Sequence, residues 1–168
     1  MPKIIEKLEQ KLMEEARREI EESGYGAVTI RSVAAACGVG VGTVYNYFSS
    51  KDELLAAYLL QDWNRCMEAI RAASDEARSP EEVFRCIHHQ LLDYSARHSK
   101  VFRAEAAAVG FAGSFGRYHA MLRAQLAEPV RRFCGDDFTA EFAAEALLTW
   151  TMAERTFDEI YALLKKLF

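Results

Sequence analysis

TIRSVAAACGVGVGTVYNYFSSK, residues 29–51, reads as two short helices joined by a tight turn. Thr29 is placed to cap the first, its hydroxyl accepting from a free amide at the helix start. Ile30, Val33, Ala34 and Cys37 recur at i, i+3, i+4 and i+7, which marks one buried face. Gly38 follows, and a residue without a Cβ suits the left-handed geometry that ends a helix. A second helix is expected from about Val41 to Phe48, with Val44 and Phe48 four apart and facing inward. Gly42, Thr43, Tyr45, Asn46 and Tyr47 are left for the outer surface and its flanks. Such small, hydroxylic and amide side chains do not drive folding. They suit a helix that lies close to a polynucleotide and hydrogen-bonds to it.

On the N-terminal side, Ile4, Leu8, Leu12, Ala16 and Ile20 form a stripe at steps of four, so a helix is expected over residues 2–23. Gly24 and Gly26 end it, and Tyr25 is expected to plug the top of a small core. On the C-terminal side, Ser50 and Glu53 make a capping box that opens a long helix through Leu54, Tyr58, Trp63, Met67 and Ile70. Ser79-Pro80-Glu81-Glu82 is a second such start. The helix it opens carries Val83, Phe84, Ile87, Leu91 and Tyr94 and is expected to stop at Arg97, with Ser99 capping a separate short helix. Gly110, Gly113 and Gly116 predict a loop or broken helix. Another helix is expected over residues 115–134, kinked or divided at Pro129 and stopped by Gly135. From Phe138 onward there is no glycine or proline, and one broad apolar stripe predicts a single closing helix.

The chain has 168 residues, 51% hydrophobic and 27% charged, enough for one or two helical units with a real core. No stretch alternates as a strand would. No apolar run approaches the roughly 20 residues that span a bilayer, and MPKIIEKLEQ is too charged for a signal peptide. A cytoplasmic, non-membrane protein is expected. Cys37, Cys66, Cys86 and Cys134 form no CxxC pair and read as buried free thiols, so no metal site is expected. The formal net charge of −4 argues against indiscriminate nucleic-acid binding. Yet Arg31 and Lys51 are the only charged residues in 29–51, and both are basic.

GYGAVTIRSVAAACGVGVGTVYNYFSSKDELL, from Gly24 to Leu55, resembles the DNA-binding domain of the TetR family of bacterial transcription regulators. The resemblance rests on the order Thr29, Ala34, Gly38-Val39, Gly42-Thr43, Tyr45, Tyr47-Phe48 and Lys51. It covers about a third of the chain; the remainder fits only a generic helical ligand and dimer domain. The resemblance implies an all-α protein in two parts: a three-helix, helix-turn-helix head over 1–50 and a helical bundle for effector binding and dimerisation over 51–168. It implies DNA contacts by Thr29, Arg31, Val41, Gly42, Thr43, Tyr45, Asn46, Tyr47 and Lys51, with Arg31 reaching a base edge and Tyr47 and Lys51 meeting phosphates. The sequence departs from the family at Gly40, often serine, and at Val41, often polar. Base preference then depends more on Arg31, Thr43, apolar contact with thymine, and DNA shape.

The partners implied are double-stranded DNA with a near-palindromic operator, a second copy of the chain, and a small effector of unknown identity. Candidate pocket residues are Phe84, His88, Tyr94, Phe102, Phe111, Phe115, Tyr118, His119 and Trp150, aromatic with a few polar anchors. Candidate dimer residues are Trp150, Phe157, Ile160, Tyr161 and Leu164. No cofactor is expected. No catalytic arrangement stands out, since His88, His89 and His119 lack a recognisable nucleophile partner. The competing reading is a protein-interaction module of the same fold that acts through a partner protein.

Overall fold

The computed structural model describes the backbone of residues 7–107 and 112–168, and the side chains of 7–102 and 119–168. The described residues form eight α-helices and no strand: α1 Leu8–Ser23, α2 Ile30–Ala36, α3 Val41–Tyr45, α4 Lys51–Glu76, α5 Pro80–Ala107, α6 Ala112–Val130, α7 Asp137–Met152 and α8 Phe157–Leu164. Single turns of 3₁₀ helix lie at Tyr25–Ala27 and Arg131–Phe133. The protein is all-α, as its patterning requires.

Two compact units divide the chain. The first comprises Met1–Asp62 with His98–Ala108, the second Trp63–Arg97 with Val109–Phe168. Compactness therefore cuts through α4 and α5, whereas the expectation from sequence put the division at 50/51.

In the first unit Leu8, Leu12, Ala16 and Ile20 of α1 bury the face their spacing marks. They pack with Ile30, Val33 and Ala34 of α2, Val44, Phe48, Leu54 and Leu55, joined by Val101 of α5. Full burial of a side chain such as Leu12 or Phe48 contributes roughly 1.5–3 kcal/mol, so short helices too weak to persist alone are held by this shared core. Tyr25 is half-buried against it. A buried polar pair completes the unit. The His98 imidazole donates from Nε2 to Asp62 Oδ2 at 2.8 Å, with the rings of Tyr58 and Phe102 edge-on to it. Removing one partner of so buried a pair would strand the other, at a cost of about 3–5 kcal/mol.

The second unit packs Trp63, Met67 and Ile70 of α4, Phe84, Ile87 and Leu91 of α5, Leu126 and Val130 of α6, and Leu147 and Leu148 of α7. α7 packs against α6, and its small residues Ala140, Ala143 and Ala144 are fully buried. The Ser74 hydroxyl donates to the Pro129 carbonyl at 2.8 Å, and the Trp63 indole N–H donates to Gln125. His88 donates from Nε2 to the Arg155 carbonyl at 3.0 Å.

Several element boundaries differ from those expected. α5 runs unbroken through Arg97 and Ser99, because burial of His98 and Val101 carries the helix onward without a cap. Gly113 and Gly116 lie inside α6, and Pro129 occupies its penultimate position, where a missing N–H and a blocked turn convert the end to 3₁₀. The closing stretch is two helices, not one. Glu154 turns left-handed at φ 61, and Thr156 opens α8 with a capping box to Glu159. All four cysteines are free thiols, but only Cys66 is fully buried; burial still pushes the Cys37, Cys86 and Cys134 thiols above their ordinary range.

Candidate nucleic-acid interface

Thr29 caps α2 as expected. Its Oγ1 accepts from the Ser32 N–H at 2.9 Å, and Ser32 Oγ accepts from the Thr29 N–H at 3.0 Å. Ser32 Oγ also donates to Glu19 Oε2 at 2.6 Å, which ties α2 to α1. The Thr29 hydroxyl is therefore committed to the helix start. The turn after α2 is built on Gly38 at φ 68. The Gly38 N–H bonds to the Ala35 carbonyl and the Val39 N–H reaches back to the Ala34 carbonyl, the paired pattern that closes a helix around a left-handed residue. Val39 then folds onto the core.

α3 is shorter than expected, ending at Tyr45 and followed by a turn in which the Tyr47 and Phe48 amides both bond to the Val44 carbonyl. At about 100° per residue only Val44 faces directly inward, and it is fully buried. Gly42, Tyr45 and Asn46 are exposed, and Thr43 is half-exposed. Tyr45 is 53% exposed, so it does not pack in the core. Val41 and Tyr47 sit on the flanks, half-buried against the hydrophobic cluster.

Charge distinguishes this surface from the helix before it. On α1, Arg17 pairs with Glu21, and Arg18 pairs with Glu15 and Glu22. Among the described residues no carboxylate pairs with Arg31 or Lys51. Arg31 is exposed on α2. Lys51 is half-buried: Nζ donates to the Tyr25 carbonyl at 2.9 Å and lies 4.0 Å from the Tyr25 ring centroid. The same tyrosine donates its O–H to Asp52 Oδ1 at 2.6 Å. Sequence reasoning placed Tyr25 only as a core plug, and its clasp on Lys51 spans 26 residues that no local pattern connects. Ser50 caps α4 by accepting from the Glu53 N–H at 3.1 Å. The Glu53 carboxylate closes the box one residue early, on the Ser49 N–H and hydroxyl, and those two bonds hold its carboxyl below the usual range.

The candidate pocket residues fall into separate surroundings. Phe84 and His88 are buried with Phe157, Tyr161 and Phe168 around them. Tyr94 packs edge-on to Trp63. Phe102 lies beside His98 in the first unit. His119 faces Glu145 at 3.6 Å, and Trp150 is 51% exposed. Phe111 and the side chains of Phe115 and Tyr118 lie outside the described residues. Of the candidate dimer residues, Phe157, Ile160 and Leu164 are buried within the chain's own second unit, because the break at 153–156 turns α8 back onto it. Tyr161 is half-buried, stacked on Phe157. Trp150 alone among them is exposed, and Phe138 and Phe142 of α7 share that exposure.

Residues 12–58 match the family model described as bacterial regulatory proteins, tetR family. The HTH-type transcriptional regulator UidR of Escherichia coli (strain K12) is 30% identical over 61 residues, covering 36% of this chain and 31% of UidR. The chain is thus matched over about a third of that relative's length. The fold extends further. SCO7518 of Streptomyces coelicolor A3(2) superposes with a TM-score of 0.72 at 13% identity, over 94% of this chain and 96% of that one. Thermus thermophilus FadR, a TetR-family repressor solved with lauroyl-CoA, gives a TM-score of 0.68 at 21% identity, over 95% and 92%. The match to the tetR family of bacterial regulatory proteins therefore belongs to the N-terminal domain, residues 12–58, while the likeness of the whole chain to solved structures is one of fold.

Proposed function

We propose that the protein is a sequence-specific DNA-binding regulator of transcription, acting as a homodimeric repressor released by a small effector. The observation that carries this reading is the surface of α2 and α3. Gly42, Thr43, Tyr45 and Asn46 face outward beside Arg31 and Lys51, two cations that no described carboxylate neutralises. Exposed hydroxyl, amide and guanidinium groups match base edges and phosphates. Arg31 reads a base edge, Tyr45 and Thr43 meet thymine methyls or the backbone, and Tyr47 and Lys51 contact phosphates. A two-fold dimer sets two such faces about one DNA turn apart, ~34–36 Å, on a near-palindrome.

The seam for that dimer is drawn from the exposed apolar side of α7, Phe142 and Trp150, in place of the buried residues of α8. The effector is a small, partly apolar molecule, as the lauroyl-CoA bound by the Thermus thermophilus neighbour suggests by analogy. It releases DNA only in so far as it binds the two states of the dimer with different affinity. An electrophoretic shift with DNA from beside the protein's own gene tests the reading. A sequence-dependent shift supports it. Absence of any shift, with a partner protein co-purifying, turns the reading over to a protein-interaction module.

A further inference from the structure

We infer that Tyr25 is a positioning residue for DNA binding, holding Lys51 in readiness for a phosphate and turning Asp52 away from it; the inference rests on the DNA-binding reading above. Lys51 is the first residue of α4. The partial positive charge of a helix N-terminus favours anions there and disfavours an ammonium. The acidic neighbours Asp52 and Glu53 suit the position, and Lys51 does not. A cation set against the local preference of a helix start points to a function for its charge.

Tyr25 supplies what the helix end withholds. Its carbonyl accepts one Nζ–H of Lys51 at 2.9 Å, and its ring lies under the same ammonium at 4.0 Å. An ammonium has three N–H donors, so two remain for an incoming phosphate. The hydroxyl of Tyr25 meanwhile holds Asp52 Oδ1 at 2.6 Å. One side chain thus draws two adjacent, opposite charges to different parts of itself. It keeps the carboxylate from neutralising the cation, and it lowers the conformational freedom the lysine would lose on meeting DNA.

The test is binding of a mixed-sequence DNA duplex at low salt, followed by fluorescence anisotropy, since phosphate contacts need no operator. Tyr25→Leu removes the aromatic face and should weaken binding about two- to fivefold, the worth of a cation–π contact near a surface. In the Lys51→Ala background the same change should add nothing, because Tyr25 acts through Lys51. Equal losses in both backgrounds, or no loss in either, overturn the inference and leave the DNA reading standing. Failure of the wild type to bind any duplex removes both. Tyr25→Phe covers the case in which Tyr25→Leu does not fold, as it keeps the ring and the core contact and frees Asp52. It should weaken binding, and adding Asp52→Asn should recover more affinity in Tyr25→Phe than in the wild type. No loss in a folded Tyr25→Phe, or equal gains from Asp52→Asn in the two backgrounds, overturns the proposed role of the hydroxyl.

Discussion

The outward faces of α3 and α7 differ in kind. α3 offers a glycine, a threonine and one exposed tyrosine, and Asn46 follows it; Arg31 and Lys51 stand on the helices before and after. α7 offers Phe138, Phe142 and Trp150, all at least half exposed, and α8 adds Leu163. A face of hydrogen-bonding groups loses little by standing in water and gains only from a partner with its own polar edges. An apolar face is costly in water and gains from any partner that covers it. A nucleic acid answers the first description and a second protein surface the second. One chain therefore exposes two surface chemistries, each within its own segment.

The contrast is broken most severely on α7. Trp150→Asp should leave the fold intact, convert the dimer to monomers in sedimentation, and lower operator affinity on the order of 10²–10⁴-fold as the second head is lost. Ile160→Asp provides the control, since Ile160 is 5% exposed. It should lower the melting temperature at every protein concentration, whereas any loss in Trp150→Asp should be confined to concentrations at which the wild type is dimeric. A wild-type monomer of 19.0 kDa that binds a palindrome tightly would end the dimer proposal. Gly38→Val comes next. A β-branched residue at φ 68 costs about 1–3 kcal/mol in each head. Operator binding should weaken while sedimentation stays unchanged, and wild-type affinity would show that the turn tolerates the strain.

Within the DNA face the effects should separate by type. Arg31→Ala should relax preference at particular base pairs by about 1–3 kcal/mol. Lys51→Ala should weaken all sequences alike and lower the log–log salt slope by about one per half-site. An unchanged slope would make Lys51 a strut for Tyr25 and nothing more. The smallest effect is expected at Thr156→Ala, which removes the α8 cap and should cost about 1 kcal/mol in thermal unfolding without touching DNA binding. That cap also carries a pH signature. Bonds from the Thr156 amide and hydroxyl hold the Glu159 carboxyl below its usual range. Its contribution is therefore complete above the ordinary carboxylate range and fades as pH falls through the lowered value.

What the sequence disclosed follows the reach of each interaction. Thr29, Gly38, Ser50 and Ser79 announce helix ends through partners within a few residues, and the structure uses all of them so. The inward residues Val44 and Phe48 were legible from spacing alone. The break before α8 was equally local, since Thr156 and Glu159 stand in the same relation as Ser50 and Glu53, but the unbroken apolar stripe masked it. Ser99 misled in the opposite direction. It has the chemistry of a cap, yet the buried pair of His98 with Asp62, 36 residues away, keeps its helix running. Tyr25 escaped notice as anything but packing because Lys51 and Asp52 come to it from a distant part of the chain. Burial of Phe157, Ile160 and Leu164 depended on where α8 turns, which periodicity does not encode.

Gly42 has one more consequence. A Cβ built there meets no atom within 4 Å, and its φ lies outside the left-handed range. With Val44 fully buried and Val41 half-buried against the core, the outward positions 42, 43 and 45 of α3 and Asn46 after it answer weakly to the core. Side chains can then be exchanged at 42, 43, 45 and 46 with little penalty in folding. The reading head is in this sense a replaceable part: a small library at four positions would explore new operators while the scaffold beneath stays the same.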